Sequence, residues 1–105
     1  MIKKGVIKHI VLWKLKDSMD GKAKPELARE LKAALEGLKG KITEIKALEV
    51  GINFNPADTA CDLSLYSEFK SREDLDRYQK HPEHVKVAEL VKKLTLERRV
   101  SDYEA

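Results

Sequence analysis

The side chains best suited to proton transfer in this sequence belong to three histidines and one tyrosine. His81 and His84 flank Pro82 in a His-Pro-Glu-His run, Tyr78 precedes that run, and His9 lies in an apolar N-terminal segment. An imidazole exchanges protons near neutral pH, and a phenol can donate a hydrogen bond to a carbonyl oxygen. These residue types predict acid/base chemistry on a carbonyl compound, with His84 as the base and Tyr78 as the donor.

The chain around each histidine predicts a different environment. Pro82 is favoured in the first turn of a helix, which places His81 at the N-cap and His84 in that first turn. The helix dipole and partial burial both disfavour imidazolium, so we expect the pKa of His84 to lie below its ordinary value. His9 shares a strand face with Trp13, where it must line a cavity or be a core histidine bonded to a carbonyl.

The sequence does not favour metal or nucleotide chemistry. His81, Glu83 and His84, with His9 as a fourth candidate, would diverge from a helix cap and first turn and match no recognised zinc spacing. The five glycines are too scattered for a phosphate-binding loop. We therefore expect no metal site and no cofactor.

Composition limits the partners of the chain. The 105 residues include 21 Lys+Arg and 18 Asp+Glu. Residues of opposite charge are interleaved, so the sequence offers no basic stripe along which a nucleic-acid backbone could bind. No window approaches the ~20 apolar residues of a membrane span. We expect a cytoplasmic protein that binds neither nucleic acid nor membrane. The lone Cys61 is expected to be an inert thiol in a buried strand.

Hydrophobic periodicity predicts the elements that position these side chains. Strands alternate with period two, and helices show an apolar stripe that begins after Pro25, Ser71 and Pro82. The predicted elements are a strand at 6–15, a helix from Pro25 with its stripe at 27–38, strands at 41–54 and 61–69, helices from Ser71 and from Pro82, and a strand at 96–103.

The order β-α-β-β-α-β predicts one α+β domain over residues 1–105 with a ferredoxin-like, four-stranded antiparallel sheet and helices on one face. The first strand is apolar on both sides, and Leu48 and Val50 of the second strand are expected to add to the face without helices. Leaving that face in water would expose a large apolar patch. A second copy can cover it about a two-fold axis, which predicts a homodimer.

Three segments resemble the stress-responsive A/B barrel (Dabb) family, and together they span nearly the whole chain. They read IKHIVLWKLKD, YQKHPEHVKV and VSDYEA. The resemblance implies a dimeric α/β barrel, which in some members assembles into larger rings. In the plant polyketide cyclases of this family, the positions of His84 and Tyr78 hold the base and its partner, and His9 and His81 also match.

Three functional hypotheses use this scaffold. The first is a homodimer that binds a small apolar carbonyl or aromatic compound in a pocket lined by His84 and Tyr78, with His9, His81 and Trp13 as binding residues. In this hypothesis the pocket performs cofactor-free, cyclase-like chemistry on the compound. The second is a non-catalytic stress-response protein that acts through its oligomer, and the third is a cofactor-independent monooxygenase. A cavity of roughly 300 Å³ or more beside His84 favours ligand binding, whereas filled space favours the structural role.

Overall fold

The computed structural model describes residues 5–105. The elements are β1 (Ile7–Leu15), β2 (Ser18–Met19), β3 (Lys22–Ala23), α1 (Lys24–Glu36), a 3₁₀ turn (Gly37–Gly40), β4 (Ile45–Ile52), β5 (Leu63–Phe69), α2 (Arg72–Lys80), α3 (Pro82–Leu94) and β6 (Thr95–Glu104). Strands β1, β4, β5 and β6 form one antiparallel sheet in the order β4-β5-β1-β6, and β2 pairs with β3 in a small hairpin. This is the ferredoxin-like α+β fold that the sequence predicts.

Local signals fix where helices α2 and α3 begin. The Ser71 side chain accepts a hydrogen bond from the backbone N–H of Asp74 at 3.1 Å, as a capping residue does. His81 ends α2 and is also the N-cap of α3, and Pro82 follows it as the first helical residue. The two helices therefore meet at a sharp corner, which brings Tyr78 of α2 close to His84 of α3.

The helices cover one face of the sheet. Alternate residues of β1 are buried beneath them, among them His9, Val11 and Trp13, whereas Ile10 and Leu12 point to the opposite face and are half-buried. Strand β1 is thus apolar on both sides, as expected. Only one of its sides is covered by helices of the same chain.

The expected placement of Leu48 and Val50 is wrong. In the sheet register Leu48 lies opposite Ser67, and Ser67 lies opposite His9, so these residues share the face that the helices cover. Leu48 is 3% exposed and Val50 is 2% exposed. Alternation along a strand shows which residues share a face, but it does not show which layer covers that face.

A short hairpin lies between β1 and α1, where sequence analysis predicts no element. Strands β2 and β3 are joined at Asp20 and Gly21, whose φ angles are 53° and 77°. Two successive left-handed residues are typical of the two-residue turns that match strand twist, and Asp-Gly is a favoured pair there. The hairpin therefore has a sequence signal in the Asp20-Gly21 pair.

Two further boundaries differ from expectation. Strand β4 covers Ile45–Ile52 instead of 41–54, because the backbone N–H groups of Lys41 and Ile42 donate to the carbonyl of Leu38 and extend the end of the helix. Cys61 precedes β5 and is half-buried, so it does not lie in a buried strand.

Replacing Val50 by Asp is expected to unfold the chain, because the carboxylate would enter the helix-covered core without a partner at a cost of several kcal/mol. Thermal and urea unfolding followed by circular dichroism measure the effect. Ile52→Asp is the matched control, since Ile52 lies on the same strand with 44% of its surface exposed. A Val50→Asp variant as stable as the control would contradict the placement of Val50.

Candidate functional site

A cavity of about 460 Å³ lies between the sheet and the helices. Its walls are mainly apolar, with side chains such as Leu35, Leu65 and Val91. Its polar groups come from β1, α2, α3 and β6: His9, Trp13, Tyr78, His84, Lys92, Thr95, Glu97 and Arg98. An apolar cavity with a few convergent polar groups is the usual form of a small-molecule site.

His9 is fixed by a carboxylate from the neighbouring strand. Asp102 lies opposite His9 in the pairing of β1 with β6, and its Oδ1 is 2.5 Å from His9 Nδ1. The Ser67 hydroxyl donates to the backbone carbonyl of His9 at 3.2 Å. Because Nδ1 must donate to the carboxylate, the neutral ring keeps its lone pair on Nε2, as in the carboxylate–imidazole pairs of hydrolases. His9 can therefore accept a proton at Nε2.

Tyr78 is the centre of an aromatic cluster beside the cavity. Its ring centroid is 4.9 Å from that of Phe69, 6.1 Å from that of His9 and 4.5 Å from that of His84. Burial raises the pKa of Tyr78 to about 12, against a smaller opposing effect of Arg98. The phenol is therefore protonated at neutral pH and can act as a hydrogen-bond donor.

His84 is half-buried in the first turn of α3. Burial is the main cause that lowers the pKa of His84; the nearby His9 and Arg98 act in the same direction, and the backbone carbonyl of Gln79 opposes them. The direction agrees with that expected from the sequence. A neutral imidazole at this position is a proton acceptor at neutral pH.

Two buried polar atoms at the cavity have no protein partner within residues 5–105. They are Nε1 of Trp13 and Nδ1 of His84. An unsatisfied buried polar group costs about 1–3 kcal/mol, so native proteins retain few of them and each calls for an explanation. Both side chains line the same cavity.

The structure brings together four of the five residues selected from the sequence: His9, Trp13, Tyr78 and His84. His81 does not line the cavity. Its Nδ1 accepts a hydrogen bond from the backbone N–H of Glu83 at 3.1 Å, so its side chain caps α3. Sequence analysis did not identify Asp102, although the VSDYEA segment contains it, because its partner His9 lies 93 residues away.

Among residues 5–105, no group of three or more His, Cys, Asp or Glu side chains is arranged to hold a metal ion. In the same part of the chain, no helix is long and apolar enough to cross a membrane.

The fold and the site define a class of ferredoxin-like proteins with a cavity between sheet and helices. The family model of the Stress responsive A/B Barrel Domain (Dabb) matches residues 7–105, and the chain belongs to that family. No curated protein matches the sequence.

Solved structures share the fold. A dimeric protein of unknown function with a ferredoxin-like fold from Bacteroides fragilis is 38% identical, with 95% of this chain and 96% of that chain covered and a TM-score of 0.84. A Dabb family protein from Mesorhizobium loti shares the fold at 20% identity, with 95% and 96% covered and a TM-score of 0.76. A hydroxynitrile lyase from Passiflora edulis shares it at 17% identity, with 98% and 95% covered and a TM-score of 0.83.

The lowered pKa of His84 has a consequence for stability. Folding favours the neutral ring of His84. The contribution of this neutral ring to the free energy of unfolding is present above the ordinary pKa of 6.5 and decreases as the pH falls below that value, because the unfolded chain takes up the proton more readily. We expect His84→Asn to reduce this loss of stability between neutral and mildly acidic pH. Urea unfolding across that range, with His81→Asn as the control, measures it. Equal pH dependence in all three proteins would contradict the assignment.

Proposed function

We propose that the protein is a homodimer whose cavity binds a small apolar carbonyl or aromatic compound, and that His84 and Tyr78 perform cofactor-free acid/base chemistry on it. The observation that carries this proposal is that Tyr78 and His84, whose ring centroids are 4.5 Å apart, line one mainly apolar cavity together with His9 and Trp13. A molecule with a polar oxygen and an apolar body fits both properties of the site.

The proposed chemistry is proton transfer at a carbon next to a carbonyl group. His84 accepts the proton, the electron pair of the broken C–H bond moves into the enolate, and Tyr78 donates a hydrogen bond to the enolate oxygen. The protonated His84 then returns the proton to carbon, or to the oxygen of a second carbonyl group that the enolate has attacked. The ring centroids of Tyr78 and His84 are 4.5 Å apart, which supports action at one bound molecule.

His9 provides a second imidazole at the same cavity. Its bond to Asp102 holds the ring in place, and the same carboxylate would stabilise the charge if Nε2 accepted a proton. The ring centroids of His9 and Tyr78 are 6.1 Å apart. We therefore assign His9 a supporting role in orienting the bound molecule and in receiving a proton.

The homodimer is supported by the face of the sheet that no helix of the chain covers. Ile10 and Leu12 of β1 are half-buried on that face, and Tyr103 of β6 is 46% exposed. The Bacteroides fragilis protein, similar over almost the whole chain, is dimeric. A second copy of the sheet would remove these side chains from water about a two-fold axis.

Deuterium exchange tests the chemistry. We expect the protein to accelerate incorporation of deuterium from D₂O next to the carbonyl group of benzylacetone, followed by NMR. Tyr78→Phe and His84→Asn should each lower the rate by roughly 100-fold, the usual contribution of a positioned acid or base.

His81→Asn is the matched control for this experiment, because Asn is a good N-cap residue and His81 lies outside the cavity. It should exchange the probe at the rate of the unaltered protein. Binding of benzylacetone without any acceleration would contradict the catalytic part of the proposal and leave a binding protein.

A charge on the uncovered face tests the dimer. We expect Leu12→Asp to shift the protein from dimer to monomer in sedimentation experiments while the circular dichroism spectrum stays that of a folded chain, because the carboxylate disrupts the interface and not the core. Val85→Asp is the control, since Val85 is 47% exposed on α3. A Leu12→Asp variant that remains a dimer would contradict this interface.

A further inference from the structure

Two cationic side chains, Lys92 of α3 and Arg98 of β6, line the cavity, whose walls are mainly apolar. Both residues are exposed, which places their charged ends towards the opening of the cavity and not in its interior. Arg98 lies close enough to the aromatic cluster to lower the pKa of both Tyr78 and His84. The charge of Arg98 therefore reaches the groups to which we assign the chemistry.

The sheet register explains why Arg98 lines the cavity and the next residue, Arg99, does not. Arg98 lies opposite Trp13, a buried residue on the helix-covered face, whereas Arg99 lies opposite Leu12 on the uncovered face. The direction of each side chain alternates along a strand. The side chains of these two adjacent arginines thus lie on opposite faces of the sheet.

Ion pairing distinguishes these two cations from their immediate neighbours. Lys93 pairs with Asp20 at 2.8 Å, and Arg99 pairs with Glu97 at 3.4 Å. Among the residues that the structure describes, Lys92 and Arg98 have no carboxylate within ion-pair distance. Glu97 also lines the cavity, but its carboxylate is the one bonded to Arg99.

We infer that the molecule bound in this cavity carries a carboxylate, held at the opening by Arg98 and Lys92 while its apolar body lies against Trp13 and Tyr78. This inference rests on the proposed function and narrows its ligand class from apolar carbonyl or aromatic compounds to apolar acids. The planar guanidinium of Arg98 matches the two oxygens of a carboxylate, and the ammonium of Lys92 adds a second charge.

The single tryptophan of the chain provides the readout. Trp13 lines the cavity, so its fluorescence should change when a molecule enters. The probes are hydrocinnamate and its neutral amide, hydrocinnamamide, which have nearly the same shape and differ in charge. At neutral pH and low salt we expect the carboxylate to bind about 3- to 10-fold more tightly, the range for a partly exposed charge-assisted pair.

Four variants assign this preference to residues. Arg98→Gln and Lys92→Gln should each reduce the ratio of the affinity for hydrocinnamate to the affinity for the amide. Arg99→Gln and Lys93→Gln remove the same charge from neighbouring positions that already have partners, so both should keep the full preference. Added salt should weaken the preference in the unaltered protein, because the pairs are exposed.

Three outcomes would overturn the inference. Equal affinity for the two probes would show that the cavity binds an apolar molecule without recognising its charge, and the proposed function would stand without this addition. A preference that survives in both Arg98→Gln and Lys92→Gln would place the anion elsewhere. If neither probe changed the fluorescence of Trp13 or bound in calorimetry, the proposed binding function would fail as well.

Discussion

The bond from His9 Nδ1 to Asp102 Oδ1 is the interaction on which the geometry of the cavity depends. It joins β1 to β6 through side chains as well as backbone, and it holds a buried imidazole against the face of the sheet. The His9 ring then lies edge-on to Tyr78, and Tyr78 lies against His84. The pairing of β1 with β6 also places Arg98 opposite Trp13. The proposed recognition of an anion therefore depends on this strand pairing as well.

The buried polar groups around the cavity differ in whether they have a hydrogen-bond partner. His9 has a carboxylate partner, whereas Trp13 Nε1 and His84 Nδ1 have none among the described residues. A core optimised for stability alone would replace such groups with apolar side chains of similar size. Keeping them costs stability in the free protein, which a bound molecule with suitable oxygens would restore.

Local patterns in the sequence were sufficient for the order of the main strands and helices and for the helix starts at Ser71 and Pro82. The resemblance to the family grouped His9 with Tyr78 and His84. Local patterns did not predict features that depend on a residue distant in the chain. Strand alternation shows that Leu48 and Val50 share a face, but the covering layer comes from helices elsewhere in the sequence. Asp102 shows the same limit, because only the pairing of β1 with β6 brings it to His9.

The tautomer of His9 tests this account most directly, because the fixed ring and its free acceptor both follow from the bond to Asp102. Two-bond proton–nitrogen correlation spectra of the imidazole rings distinguish the two neutral tautomers, and His9→Gln identifies the signals of His9. The account predicts that neutral His9 carries its proton on Nδ1 and leaves Nε2 unprotonated. A neutral His9 protonated on Nε2, or one that exchanges between both tautomers, would contradict it.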